Sequence, residues 1–194
     1  TALKHFRRAE KAVRGPISLA RANYWEGRAL EALGQTGEAG AAYAEGARFQ
    51  TSFYGLLSAE KVGLPLSPAM VGGESFPDWR SGSFTGSTVF LAARELMAAG
   101  DETLAARFLL HLSEGLDGND IGRLAGMAME AKEPYVALSL AKASADKGVI
   151  WPSAYFPVPA LSGMKLPVDP ELALSIARRE SEFNAAVVSP AGAR

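Results

Sequence analysis

A pattern of small residues that returns at long intervals limits this chain to few folds. Ala39, Ala105 and Ala137 occupy equivalent positions, 66 and 32 residues apart, which is close to two periods and one period of a repeat of about 34 residues. The third copy is weaker than the other two. Repeats of this length are helical hairpins, each of which buries one face on its neighbour. We therefore predict an all-α fold.

The first hairpin shows the pattern most clearly. Residues 20–49 contain two helical patterns that break at residues 34–37, Gly-Gln-Thr-Gly. Gly27 and Ala39 are small enough to let the two helices approach closely, which is typical of a tetratricopeptide-like hairpin, and we predict a superhelix of such hairpins. Apolar or small residues recur at helical spacing on both sides of the break: Tyr24, Gly27, Leu30 and Leu33 before it, and Ala39, Ala42, Tyr43 and Ala47 after it.

Two proline-rich stretches interrupt the helices. Residues 65–88 hold Phe76 and Trp79 among prolines and glycines, and residues 151–167 hold four prolines together with a Trp, a Tyr and a Phe. Since disordered linkers carry few aromatic residues, we expect both stretches to pack on the helices. The predicted organisation is hairpins at 1–64, an irregular connection at 65–88, further hairpins at 89–166, and a final segment at 167–194 that begins near Leu166.

Composition excludes several kinds of site. The chain has no cysteine, and His5 and His111 are its only histidines, so we expect no metal site, no cofactor and no histidine-based catalytic triad. A formal net charge of −1 gives no overall basic field for nucleic acid. No apolar run is long enough to cross a bilayer, and we expect no signal peptide within the given residues, which says little about the location of the parent protein. Because the sequence begins at Thr1, not Met, we expect it to be a processed or excised piece.

The last helical pattern places a carboxylate among apolar positions. Asp-Pro at 169–170 fits the N-cap and the first helical position. Leu172, Ile176 and Phe183 then fall on one face, and at about 100° per residue Glu180 lies within that face. Burying an unpaired carboxylate costs several kcal/mol, or the group takes up a proton, which is what a general acid needs.

Two ordinary interpretations of Glu180 stay open. A lone glutamate on a helix is most often a surface or capping residue, and the neighbouring Arg179 could neutralise it. Glu182 points away from the apolar face and lies four residues after Arg178, so we expect these two residues to form a solvated ion pair.

The C-terminal sequence IARRESEFNAAVVSPAGAR, residues 176–194, resembles the opening motif of the soluble lytic murein transglycosylases. In that family an Ala-Arg-x-Glu-Ser-x-Phe-Asn helix is followed by a Ser-Pro-x-Gly-Ala loop. The stretches YWEGRALEALG and TSFYGLLSAEKVGLP are similar to the α-superhelical and linker regions that precede this motif, so the resemblance covers most of the chain. It implies that the hairpins lead into the first helix of a lysozyme-like catalytic domain.

The resemblance also implies an activity, cleavage of the β-1,4 bond between N-acetylmuramic acid and N-acetylglucosamine in peptidoglycan. Glu180 would protonate the glycosidic oxygen and then act as base toward the 6-hydroxyl of the sugar, which closes a 1,6-anhydro ring. Because no water attacks, the second carboxylate of an ordinary glycosidase is not required. Ser189 would line the cleft, and Phe183 and Asn184 would be structural. A periplasmic location, glycan strands as substrate and possible cell-wall protein partners follow from the same resemblance.

The sequence departs from the family after the motif. Family members continue with a Gly-Leu-Met-Gln segment and the remainder of the domain, which forms most of the sugar-binding groove, whereas this sequence ends at Arg194. We therefore expect the parent protein to be active and this fragment to be inactive.

A binding scaffold without catalysis is the alternative, because helical-hairpin arrays hold peptides or proteins on a concave face. Candidate contact residues are Tyr24, Trp25, Tyr43 and Tyr54, although core packing is favoured for each of them. The basic residues at 4–14 are interpreted as a solvated helix face, with a weak attraction to the acidic peptides of peptidoglycan as the alternative.

Overall fold

The structure, a computed structural model, describes residues 2–192, leaving the side chain of Leu161 aside, and in that part the regular elements are all helices. The predicted all-α class is therefore confirmed. The contacts divide the chain into two compact units, Thr1–Val71 and Gly72–Arg194. This division falls inside the predicted connection at 65–88, and the other predicted boundaries, including the one near Leu166, stay predictions.

The described residues form ten α-helices and four short 3-10 helices. In the first unit the helices are α1 (Ala2–Ala12), α2 (Pro16–Ala32), α3 (Thr36–Gly46) and α4 (Phe53–Lys61). In the second unit they are α5 (Thr88–Ala98), α6 (Glu102–Ser113), α7 (Gly118–Glu130), α8 (Pro134–Asp146), α9 (Pro152–Tyr155) and α10 (Pro170–Ser181). The 3-10 helices lie in the two proline-rich stretches, at Pro68–Met70, Trp79–Ser81, Ser83–Gly86 and Ala160–Gly163.

Three helix pairs, α2–α3, α5–α6 and α7–α8, are joined by three-residue turns of the same geometry. The middle residue of each turn has a left-handed backbone: Gly34 (φ 74°), Gly100 (φ 80°) and Lys132 (φ 60°). Its N–H bonds back to the last turn of the preceding helix, as when Gly34 donates to the Glu31 carbonyl at 2.9 Å. The three turns lie 66 and 32 residues apart in the chain, so the structure repeats at the interval that the sequence predicts.

The equivalent alanines of the repeat are buried in all three hairpins. Ala39 is 2% exposed, and Ala105 and Ala137 are 0% exposed, each five residues after the left-handed residue of its turn. The structural equivalence of the three hairpins is therefore confirmed, while their tetratricopeptide-like character and a superhelical arrangement stay predictions.

The core of the first unit forms where α2 and α3 cross. A Cβ atom on Gly27 would lie 2.5 Å from the ring of Tyr43, so this ring occupies the space that the glycine leaves. Tyr24 and Tyr43 are buried, as core packing predicts. Leu33 was wrongly predicted to share the apolar face: it is exposed, because α2 ends at Ala32 and Leu33 begins the turn.

Glycines at four-residue spacing open a groove along α7 in the second unit. A Cβ atom on Gly122 would overlap the ring of Trp151, and one on Gly126 would lie 2.6 Å from the side chain of Phe76. The space beside Gly118 is occupied in the same way by the side chain of Val149, which follows α8. These aromatic residues come from the two proline-rich stretches, so the prediction that the stretches pack on the helices is confirmed.

None of the described helices is both long enough and apolar enough to span a bilayer.

Candidate functional site

The helix that carries Glu180 begins as the sequence predicts. Asp169 occupies the N-cap of α10 with a non-helical backbone (φ −58°, ψ 135°), and Pro170 is the first residue of the helix. The Asp169 side chain makes no capping hydrogen bond, so the start of α10 depends on the fixed φ of the proline and on Glu171 in the first turn.

The end of α10 differs from the prediction. The helix ends at Ser181, because Glu182 (φ 54°) and Phe183 (φ 65°) both adopt left-handed backbone conformations. Asn184 follows in a tight turn, in which its backbone N–H donates to the Ser181 carbonyl and its Oδ1 accepts from the Ala186 N–H, both at 2.9 Å. Phe183 therefore does not continue the apolar face of the helix, and its predicted place on that face was wrong.

The predicted ion pair between Arg178 and Glu182 was also wrong, because each residue has a partner outside α10. Glu182 forms an ion pair with Lys142 on α8. The Arg178 Nε donates to the Tyr155 carbonyl at 3.2 Å, and its guanidinium lies 5.0 Å from the ring centre of Tyr155 and 4.8 Å from that of Phe156. These contacts join the C-terminal half of α10 to the hairpins.

Asn184 adds a further connection between this helix end and the hairpins. It is 9% exposed, and its Nδ2 donates to the Thr103 Oγ1 of α6 at 3.3 Å. The structural role that the resemblance implies for Asn184 is compatible with this contact. Polar contacts to α6, α8 and the end of α9 thus fix the turn that follows Glu180.

Glu180 itself lies on the open side of α10. Around the helix it is about 40° from Ile176 and about 60° from Ala177, so it shares their face. Ile176 is 53% exposed, and α10 buries no residue at all. Within residues 2–192 the Glu180 carboxylate has no hydrogen bond or ion pair, and Arg179 does not neutralise it. The carboxylate therefore occupies an apolar face that the described residues leave in solvent.

Ser189 lies beyond the helix, in the loop that ends the described chain. It is exposed, and its backbone carbonyl accepts a hydrogen bond from the Gly192 N–H at 2.8 Å, which closes a four-residue turn. Ala193 and Arg194, the last residues of the resembling motif, lie outside the described residues. Val187 and Val188, exposed by 46% and 47%, extend the apolar surface of this segment.

A cavity of about 400 Å³ borders α10 on its other side. Arg178, one of its lining residues, lies about 200° around the helix from Glu180. This cavity therefore cannot hold a substrate against Glu180. It is lined by Phe156, Pro157, Val158, Glu171, Leu174, Ser175, Arg178 and Phe183.

Glu133, in the turn between α7 and α8, is a second carboxyl group with the properties of a general acid. Burial, together with the smaller effect of the nearby Glu102 carboxyl, raises its pKa to about 7. Glu133 lines a cavity of about 540 Å³ together with Pro134 and Pro157. The sequence gives no signal of this pair, because Glu102 and Glu133 are 31 residues apart and the packing of α6 on α8 brings them together.

The described part of the chain contains no group of three or more His, Asp or Glu side chains that could hold a metal ion. The chain matches no protein-family model, and no curated protein matches it significantly. The resemblance to the transglycosylases therefore depends on the motif residues themselves.

Proposed function

We propose that this chain belongs to a periplasmic lytic transglycosylase that cleaves the glycan strands of peptidoglycan. The observation that carries the proposal is the position of Glu180, which combines the Glu-Ser motif with an unpaired carboxylate on the open apolar face of α10. A general acid needs a low-dielectric environment only while substrate is bound, so its carboxylate can lie on an open apolar face that substrate then covers.

In the proposed reaction Glu180 donates its proton to the oxygen that links N-acetylmuramic acid to N-acetylglucosamine, and this bond breaks. The Glu180 carboxylate then takes the proton of the muramic acid 6-hydroxyl, whose oxygen bonds to the anomeric carbon. The products are a 1,6-anhydro sugar and a free 4-hydroxyl, and no water is consumed. Ser189 is proposed to contact the substrate near this carboxyl group.

The hairpins have a separate role in this proposal. Lys142, Thr103 and the Tyr155 carbonyl hold the end of α10 through Glu182, Asn184 and Arg178. A catalytic carboxyl group must be held within a fraction of an ångström of its productive position. The hairpins thus act as a platform for α10, and additional polypeptide is proposed to cover the open face and exclude water.

Digestion of purified sacculi tests the proposal, using the protein as its gene encodes it and mass spectrometry of the released muropeptides. Wild-type protein is expected to release 1,6-anhydromuropeptides. The Glu180→Gln variant should lose this activity by about 100-fold or more, because a general acid contributes that much to the rate.

Glu133→Gln is the matched control, because it removes the other candidate acid by the same substitution. It should keep activity within about threefold of the wild type. Loss of activity with Glu133→Gln and retention with Glu180→Gln would assign the acid to Glu133 and overturn the proposed role of Glu180.

A scaffold that binds cell-wall components without cleaving them is the second candidate. The side chains of Tyr24 and Tyr43 are buried, whereas Trp25 is 39% exposed and packs against Phe6 with ring centres 6.2 Å apart. This function predicts that the wild-type protein sediments with sacculi but releases no product, and that Trp25→Ala weakens sedimentation. Release of anhydromuropeptides would exclude a role limited to binding.

A further inference from the structure

Charge is divided unequally between the two units of the chain. The first unit, 1–71, contains nine basic and six acidic residues, whereas the second unit, 72–194, contains eleven basic and fifteen acidic residues. The basic excess is concentrated at residues 4–14, where five basic residues occur with a single acidic one. The overall net charge of −1 therefore conceals a strongly basic N-terminal segment.

The structure arranges three of these cations in a row along α1. Lys4, Arg8 and Lys11 lie within about 60° of one another around the helix and extend over about 10 Å of its length. All three are exposed, and none forms an ion pair with a described residue. We call these three residues the cationic row.

Arg7, at the edge of this row, differs from the three residues of the cationic row because it forms ion pairs. Its guanidinium contacts Glu26 at 2.8 Å and Glu38 at 3.2 Å, so its charge is compensated inside the first unit. Glu10, the one acidic residue of α1, lies about 100° around the helix from Lys11, away from the cationic row. The positive charge of the cationic row is therefore not compensated by the described residues and is accessible to an external partner.

The apolar side of α1 is already occupied. Phe6 stacks on Trp25, and Leu3 packs against the core of the first unit. α1 thus has no free apolar stripe to insert into a hydrocarbon layer. A partner of the cationic row must be held by charge at its surface.

We propose that the cationic row of α1 is a docking surface for an anionic lipid bilayer. A row of cations on the outer side of a helix fits a flat layer of anionic headgroups, because each Lys or Arg near such a layer is attracted by about 1 kcal/mol. A single-stranded nucleic acid is less suited, because the row has no aromatic side chain on which bases could stack. This inference is independent of the proposed transglycosylase activity.

Co-sedimentation with vesicles tests the docking surface. The protein should sediment with vesicles of 30% phosphatidylglycerol in phosphatidylcholine at 0.05 M salt, but not with phosphatidylcholine alone. Lys4→Gln/Arg8→Gln should weaken binding about 30-fold, since each cation contributes about fivefold near an anionic surface. Raising the salt to 0.3 M should release the wild-type protein.

Arg107→Gln/Lys165→Gln is the control, because it removes two exposed cations from the second unit and changes the net charge equally. It should bind the anionic vesicles within about twofold of the wild type, and circular dichroism should show both variants folded. Equal weakening by the two variants, equal binding to phosphatidylcholine, no vesicle binding, or tighter binding to duplex DNA at the same salt would each overturn the inference.

Discussion

Two helices of nearly equal length, α7 and α10, use their apolar faces in opposite ways. α7 has 13 residues and buries eight of them, whereas α10 has 12 residues and buries none. The core of the second unit forms around α7, while polar contacts near one end hold α10. The apolar face of α10 therefore does not contribute to the packing of the described fold and is available for substrate or for further polypeptide.

Truncation of one leucine on each helix tests this difference between α7 and α10 most strongly. Leu124 on α7 is 0% exposed, so Leu124→Ala should lower the free energy of unfolding by about 3 kcal/mol. Leu172 on α10 is 52% exposed, so Leu172→Ala should change it by less than about 0.5 kcal/mol. Urea unfolding measures both values, and a comparable loss in the two variants would show that the face of α10 is packed.

The carboxyl groups beside the two helices should also differ in their effect on stability. The pKa of Glu133 is raised from 4.5 to about 7 in the folded chain. Its contribution is therefore fully present below about pH 4.5 and is lost as pH rises through about 7. At pH 8 Glu133→Gln should be more stable than the wild type by about 1–2 kcal/mol, and at pH 4.5 the two should be nearly equal.

Glu180→Gln is the matched control for this pH dependence, because Glu180 is exposed and unpaired among the described residues. At pH 8 it should change the free energy of unfolding by less than about 0.5 kcal/mol, because the exposed side chain makes no contact that is lost. If Glu133→Gln had an equally small effect at pH 8, the raised pKa of Glu133 would be wrong.

The ends of the two helices allow a smaller but sharper comparison. Each is followed by a left-handed residue other than glycine, Lys132 after α7 and Glu182 after α10. Lys132→Gly should stabilise the chain by about 1 kcal/mol, because glycine adopts this conformation without strain. Glu182→Gly should raise the stability by less than Lys132→Gly does, because it also removes the ion pair with Lys142. Thermal unfolding of the two variants compares these gains, and an equal gain would mean that the ion pair contributes nothing.

Local sequence signals predict the hairpins well. The left-handed turns at Gly34 and Gly100 and the buried Ala39 follow from short-range periodicity and from the conformational freedom of glycine. The start of α10 at Pro170 follows from proline chemistry. These features depend only on residues that are close in the sequence, so they can be predicted from the sequence alone.

Features that depend on distant residues were missed. Lys142 lies 40 residues before Glu182 in the chain, and the sequence does not show that the two residues are close in space. The sequence therefore favoured the i,i+4 pairing of Glu182 with Arg178. The turn after α10 contains Asn184, whose side chain donates a hydrogen bond to Thr103 of another helix. Such contacts form only when the helices have packed, and no local pattern encodes them.

We propose that the open face of α10 presents Glu180 for a reaction in which a sugar hydroxyl, not water, attacks the anomeric carbon. Digestion of sacculi in H₂¹⁸O by the protein as its gene encodes it, followed by mass spectrometry of the released muropeptides, measures this directly. The account predicts 1,6-anhydro products that carry no ¹⁸O. Products with a reducing end that contains ¹⁸O would identify a hydrolase and contradict the account.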